Sequence, residues 1–485
     1  MSLLTLQNVA TSGLGFVFLF AVIHLVPVFQ YGVYSAVLVT VTIASTIAGL
    51  GVNLAATRFV SFYGGTVDGE NSWDAAKRSL LLSLLLTGVI TAIYLAISPL
   101  LSVYFTKSID WTWAFLLGGG WIFTVSVSTT FQGILQGLKK YVQLAKVVFF
   151  SRLVMVFLTV ASLYFFRTIE LPLLAWIIFY GLVALWIFIS IGKDLLAARG
   201  GLKYSMILRY ALPLGIATVI AAFATSSDSV VVGGYLNPSS LGIYQAAISV
   251  STVLGVVAVT PLTTALFPEI SSSRTLGDIS YGVRLAFRFA TFVTLPASLF
   301  IASVSPQLLV LFTGGGVYFA GTLTLELIAL FYIFLGIQTV LLVLFQAVGK
   351  TLEVIAVGVL TAVTDIGVAL LLVPHFGLAG AVTSRVAVSL DGAVLAIYLS
   401  RNYLQKLDKR VFYLKGIISS AIPSAIVFLL SSLVSARLIT LLPYAVVFAL
   451  FYFLCVRQFR LLSREDRTFL AHTLPGRLRK VMDYV

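Results

Sequence analysis

The stretch SLLLSLLLTGVITAIYLAISPLLSVYF, residues 79–105, runs 27 residues without a charge. A helix rises 1.5 Å per residue and the bilayer core is about 30 Å thick, so this run is long enough to cross it. Similar runs recur to the end of the chain. Spanning segments must satisfy their backbone hydrogen bonds internally, which points to helices. Composition agrees: 60% of the 485 residues are hydrophobic and 10% are charged, with mean hydropathy +1.08. Soluble domains carry roughly 25% charged residues.

Fourteen spans are expected, near 8–26, 34–57, 79–105, 111–136, 147–166, 170–192, 210–234, 241–267, 288–313, 319–348, 352–373, 376–400, 414–436 and 438–456. Charge tests the count. Twenty-six Lys and Arg residues fall in alternate connections and the tail, whereas the opposite connections hold Lys107, Arg167 and Arg437. By the positive-inside rule the rich side is cytoplasmic, and both termini lie there. The net charge of +14 is therefore a topology device, not a nucleic-acid footprint. Its basic loops also attract anionic lipids. The tail REDRTFLAHTLPGRLRKV reads as a solvated basic tail or a weak membrane contact. Cys455 is the only cysteine, so no intramolecular disulfide forms. The opening MSLLTLQNVATSG lacks the basic region of a cleavable signal, and the first apolar run reads as a span.

GVYSAVLVTV at 32–41 is echoed 210 residues on by GIYQAAISVS, and ILQGLKKYVQLAKV at 134–147 by LFQAVGKTLEVIAV at the same offset. In the expected topology each pair occupies equivalent spans. The fold class is therefore an all-α integral membrane protein with two parallel six-helix lobes, 1–195 and 196–405. Two accessory helices (406–456) and a basic cytoplasmic tail (457–485) follow. Parallel repeats of this kind are one transporter plan. Convergent hairpin chemistry is the competing explanation of the echo.

Charges at bilayer depth are costly and so are functional candidates. Asp228, in ATSSDSVVVG, lies about six residues, or roughly 9 Å, from the external end of span 7. Glu326, in TLTLELIAL, lies at similar depth in span 10. Both suit an outward-opening cavity and a cation, Na+ or H+. Asp365 and Arg385 flank the turn near residue 375 at matching depth, so an ion pair across that hairpin is expected, structural or part of transport. Asp391 is on another face of the same span, closer to the cytoplasm. Arg58 closes span 2 at the cytoplasmic interface, where it snorkels or grips a phosphate. Weaker candidates are Arg152, expected to snorkel from span 5, Glu269 in a cytoplasmic turn after Pro268, and Arg284 in a basic loop. Gly49, Gly51 and Gly233–Gly234 favour close helix contacts or bending. The GGG at 314–316 lacks the lysine of a phosphate-binding loop, and His24, His375 and His472 lie far apart in topology. No cofactor, metal site or enzymatic activity is expected.

Landmarks GVYSAVLVTVTIASTIAGLGVNLAATRFVS (32–61), FQGILQGLKKYVQLAK (131–146), RYALPLGIATVIAAFATSSDSVVVGGYL (209–236), and LGIYQAAISV followed by TALFPEIS give the chain a wider likeness. It resembles the polysaccharide and oligosaccharide flippases of the multidrug/oligosaccharidyl-lipid/polysaccharide exporter superfamily. The resemblance covers essentially the whole chain. It implies two six-span lobes enclosing a cavity, in the plasma membrane. It further implies a glycan cargo on a polyprenyl phosphate or diphosphate, moved from the cytoplasmic to the external leaflet by alternating access. Glycosyltransferases or a polymerase are the partners that such a cargo implies. Arg58 matches the family's span-2 arginine and Asp228 its span-7 acid. Two other readings stay open: a cation-coupled multidrug exporter, which Asp228 and Glu326 also suit, and a non-transporting scaffold for glycan assembly.

Overall fold

The computed structural model describes residues 3–64, 70–199, 201–255, 259, 270, 275–404, 408, 410–433, 438–459 and 461. All regular structure among them is helical. In order these helices are α1 (Leu3–Leu25), α2 (Val28–Gly49), α3 (Val52–Gly64), α4 (Glu70–Thr106), α5 (Thr112–Gly137), α6 (Tyr141–Phe166), α7 (Glu170–Ala197) and α8 (Tyr204–Tyr235). There follow α9 (Pro238–Leu254), α10 (Leu276–Phe289), a π-helical turn (Ala290–Thr294), α11 (Leu295–Ser303), α12 (Ser305–Thr313) and α13 (Thr322–Ala347). The last are α14 (Thr351–Ser400), α15 (Arg410–Leu433) and α16 (Leu441–Gln458).

Among the described residues eleven helices are long and apolar enough to cross a membrane. The outer shell is apolar too: Leu100, Phe157, Tyr164, Phe165 and Ile189 are each at least 70% exposed. Water would not tolerate so continuous an apolar surface, whereas lipid matches it. The chain is a multi-pass membrane protein.

Local sequence explains where these helices stop. Pro27 ends the α1–α2 connection and sets the start of α2, since its ring suits the first helical positions. Asn237 does the same for α9, its Oδ1 accepting Ser240 N–H at 2.8 Å, with Pro238 as the first helical residue. The expected second span is in fact two helices. Leu50 (φ 37°) and Gly51 (φ 75°) are both left-handed, which breaks the ladder between α2 and α3. Hydropathy averages across such a break. Gly51 faces the backbone of α8, where a Cβ would lie 2.5 Å from the Ala211 carbonyl oxygen. Gly49, in contrast, meets nothing within 4 Å. The run α14 is broken at Gly377 (φ 57°, ψ −131°), three residues after Pro374.

The offset of 210 reappears in the backbone. α1 and α8 end at Leu25 and Tyr235, α2 and α9 begin at Val28 and Pro238, α5 and α13 end at Gly137 and Ala347, and α6 and α14 begin at Tyr141 and Thr351. Left-handed Lys139 and Arg167 correspond to left-handed Gly349 and Gly377. The turn after α5 has Leu138, Lys139 and Lys140 N–H donating to Ile134, Gln136 and Leu135 carbonyls. The turn after α13 repeats this with Val348, Gly349 and Lys350 donating to Leu344, Gln346 and Phe345.

Two compact units divide the chain: Met1–Gln245 with Ala369–Gly377, and Ala246–Val368 with Leu378–Val485. In the first, α5 packs on α2, α3, α4 and α7, α6 packs between α1 and α7, and α8 lies along α2, α3 and α4. Its Lys77 Nζ donates to the Leu196 and Ala198 carbonyls at 3.1 and 3.0 Å, a cation at the negative end of α7. Asp74 pairs with Arg78 at 2.9 Å and accepts Leu202 N–H at 2.9 Å, fixing the connection between α7 and α8. In the second, Val340, Leu341, Leu344 and Phe345 of α13 form a buried core with Val283 and Ala286 of α10, and α15 pairs with α16.

Candidate translocation site

The shortest helical connection in the first unit's second repeat copy creates its polar site. Only Leu236 and Asn237 separate α8 from α9, so residues a few positions either side of the turn share one depth. Asp228 lies seven residues before the end of α8 and is fully buried. Tyr244, six residues into α9 and also fully buried, donates its hydroxyl to Asp228 Oδ2. Asp228 Oδ1 accepts Ser229 N–H at 2.6 Å and Ser229 Oγ–H at 3.1 Å, and Gln245 Nε2 donates to Ser229 Oγ at 2.9 Å. Burying a carboxylate costs several kcal/mol even after relaxation. Hydrogen bonds to a charged group contribute about 1.5–3 kcal/mol each and offset much of it.

The first repeat copy is built differently. Tyr34, the counterpart of Tyr244, is buried and accepts a hydrogen bond from Trp176 Nε1 of α7 at 2.8 Å. Trp176 stacks on Trp121 with ring centroids 4.9 Å apart and meets Phe18 edge-on at 5.4 Å. Into this aromatic cluster α6 inserts Arg152. Its guanidinium carbon lies 4.6 Å from the Trp176 ring centroid, 5.2 Å from Phe179 and 5.9 Å from Phe18. Desolvated cation–π contacts contribute on the order of 0.5–2 kcal/mol each. Its Nη1 lies 3.4 Å from the sulfur of Met155, one turn farther along α6. Phe18 stands 210 residues before Asp228, so an aromatic residue replaces the acid in this copy.

The other candidates are scattered. Arg58 is exposed on α3, its guanidinium carbon 4.2 Å over the ring of Tyr210, with no ion pair among the described residues. It is not brought to Asp228. Glu326 is half-buried and accepts Ser305 Oγ–H at 3.0 Å. Asp365 is buried, and Arg385 lies 5.6 Å from the Phe331 ring centroid; both have further interactions. Asp391 is half-buried with no ion pair among the described residues. Arg284 sits 5.1 Å from the Tyr281 ring one turn earlier on α10. Glu269 lies outside the described residues. No group of three His, Cys, Asp or Glu side chains suited to a metal occurs among the described residues. Sequence reasoning missed Tyr34, Tyr244, Trp176 and Tyr210. Tyr34 and Tyr244 were visible as the third letter of the repeated Gly-Val/Ile-Tyr motif, but their partners come from other helices.

Residues 1–274 match the family described as "Polysaccharide biosynthesis protein". The chain belongs to that family. The matched segment contains Arg58, Arg152 and Asp228 and both motif tyrosines. No curated protein matches in sequence. A structure of the lipid II flippase MurJ, inward closed, is similar with TM-score 0.77 at 16% identity, over 94% of this chain and 98% of that one. An inward-facing multidrug resistance MATE transporter of the MOP superfamily is similar with TM-score 0.65 at 18% identity, over 89% and 97%. An outward-facing MATE transporter gives TM-score 0.50 at 20% identity, over 84% and 94%. The fold is therefore of the MurJ/MATE type.

Proposed function

We propose that this family member carries a polyprenyl phosphate- or diphosphate-linked oligosaccharide from the cytoplasmic to the external leaflet of the plasma membrane by alternating access, supplying cell-surface glycan assembly. The observation that carries this reading is the family match over residues 1–274, supported by a fold like that of a lipid-linked glycan flippase. A sugar chain crossing lipid would leave many hydroxyls unpaired, each at a cost of about 1 kcal/mol or more. A helical membrane protein avoids this by offering the glycan a polar path while the prenyl tail stays in lipid. Arg58, exposed and without an acid partner among the described residues, suits the carrier phosphate. Asp228 and Glu326 suit coupling to Na+ or H+. Asp365, Arg385 and Asp391 complete the proposed set, with Arg284 and Arg152 as further cations.

The proposed architecture has fourteen spans. It adds α1 and α9 to the eleven long apolar helices and counts α14 as two spans broken at Gly377. Six-span lobes are assigned to 1–195 and 196–405, accessory helices to 406–456 and a cytoplasmic tail to 457–485. Both termini are assigned to the cytoplasm on charge. Glycosyltransferases or a polymerase are proposed partners.

A cation-coupled multidrug exporter is the second reading, favoured by the MATE likeness and by buried Asp228. Proteoliposomes distinguish the two: leaflet transfer of a lipid-linked glycan is expected, without efflux of a cationic dye. Dye efflux without glycan transfer would favour the exporter.

A further inference from the structure

We propose that Arg152, in its ring cage between α1, α6 and α7, is a binding site for a phosphate or diphosphate group. A guanidinium has two faces and an edge. Trp176, Phe179 and Phe18 attract its positive charge through their π-systems but offer its hydrogens no lone-pair acceptor. The edge carries five N–H donors, and a thioether sulfur is a weak acceptor. Met155 Sδ is the acceptor that Nη1 finds, and Nε is buried with no hydrogen-bond partner among the described residues. No carboxylate pairs with Arg152 among those residues. The rings thus hold a cation whose Nε and Nη2 have no hydrogen-bond partner among the described residues, and phosphate oxygens match that fork two at a time.

Access to the edge is kept by a glycine. A Cβ on Gly15 of α1 would lie 3.1 Å from Arg152 Nη2, and both residues are partly exposed. Tyr34 takes the Trp176 indole N–H, which fixes the ring against which the cation rests. A phosphate here has two sources, the carrier lipid or the aqueous phase. Only the lipid source rests on the transport reading above.

The test uses the full-length protein in detergent, with intrinsic tryptophan emission as readout because Trp176 lines the cage. Inorganic diphosphate is titrated in one arm and farnesyl diphosphate in the other, with acetate at equal ionic strength as control. A saturable change is expected in at least one arm, and the responding arm identifies the source. Trp176→Phe should remove most of that change. Arg152→Gln should weaken apparent affinity by about tenfold or more, the loss of a charge-assisted contact, and Arg152→Lys by less. Gly15→Leu, which crowds Nη2 while keeping the guanidinium charge, should weaken it similarly if Arg152→Gln does not fold. No response in either arm, an equal response to acetate, or unchanged affinity in Arg152→Gln or Gly15→Leu overturns the site. Glycan transfer by wild type with no such response sinks this proposal alone. A response without transfer sinks the transport reading and leaves the site standing.

Discussion

Tyr34 and Tyr244 occupy the same place in two copies of one motif, yet their hydroxyls face opposite chemistry. Tyr244 donates to a buried carboxylate, Asp228. Tyr34 accepts from an indole, Trp176, whose ring also holds a guanidinium. Where the second copy has Asp228 the first has Phe18, and where the first has Arg152 the second has Ala362. The repeat kept its backbone turns and exchanged its charge. One copy holds a buried acid at this place and the other a ring-bound cation, two settings that the proposed transport of a charged, sugar-bearing lipid can use for separate tasks.

The largest effect is expected from Asp228→Asn. It preserves shape and removes the charge, so glycan transfer should fall at least tenfold while the protein still folds, as checked by size-exclusion profile. Retained transfer would make Asp228 a structural residue and level the two copies. Phe18→Asp should be the next largest, because it writes the second copy's acid beside Arg152. An internal ion pair is expected to occupy the guanidinium and abolish the diphosphate-dependent tryptophan signal; a persisting signal would separate the cage from the anion site.

The repeat glycines come third. Gly32 of α2 faces the Pro238 carbonyl so closely that no Cβ fits, whereas a Cβ on Gly242 would lie 2.7 Å from the Val28 carbonyl oxygen. Gly32→Ala should therefore force α2 and α9 apart and destabilise by about 1–3 kcal/mol, more than Gly242→Ala. Thermal unfolding of the two variants in detergent ranks them. The last pair, of similar size, is Tyr244→Phe against Tyr34→Phe. The first deprives a carboxylate of a hydrogen bond, about 1.5–3 kcal/mol, and the second an indole N–H of an acceptor, about 1–2 kcal/mol. Equal losses would say that the charge on Asp228 is screened by its other partners.

Much of this frame was legible in the amino-acid sequence. The offset of 210 residues is a property of letters, and helix ends at Leu25 and Tyr235 or Tyr141 and Thr351 follow it because equivalent turns stop equivalent helices. Hydropathy located the apolar runs but not the break at Leu50–Gly51, since a single left-handed pair leaves the average unchanged. The depth of Asp228 could be counted from the end of its span. Its partner could not, because Tyr244 reaches it across a hairpin. The aromatic surroundings of Arg152 were not legible, because Phe18, Trp176 and Phe179 come to it from two other helices. Arg58 stood out as a charge, whereas the stacking on Tyr210 depends on α3 and α8 meeting.

The most direct measurement is leaflet transfer in proteoliposomes holding a lipid-linked oligosaccharide, followed by a membrane-impermeant glycosidase and run beside efflux of a cationic dye. Transfer by the wild-type protein, loss in Asp228→Asn and no dye efflux is the predicted result. Dye efflux with the glycan held in its original leaflet would contradict the account.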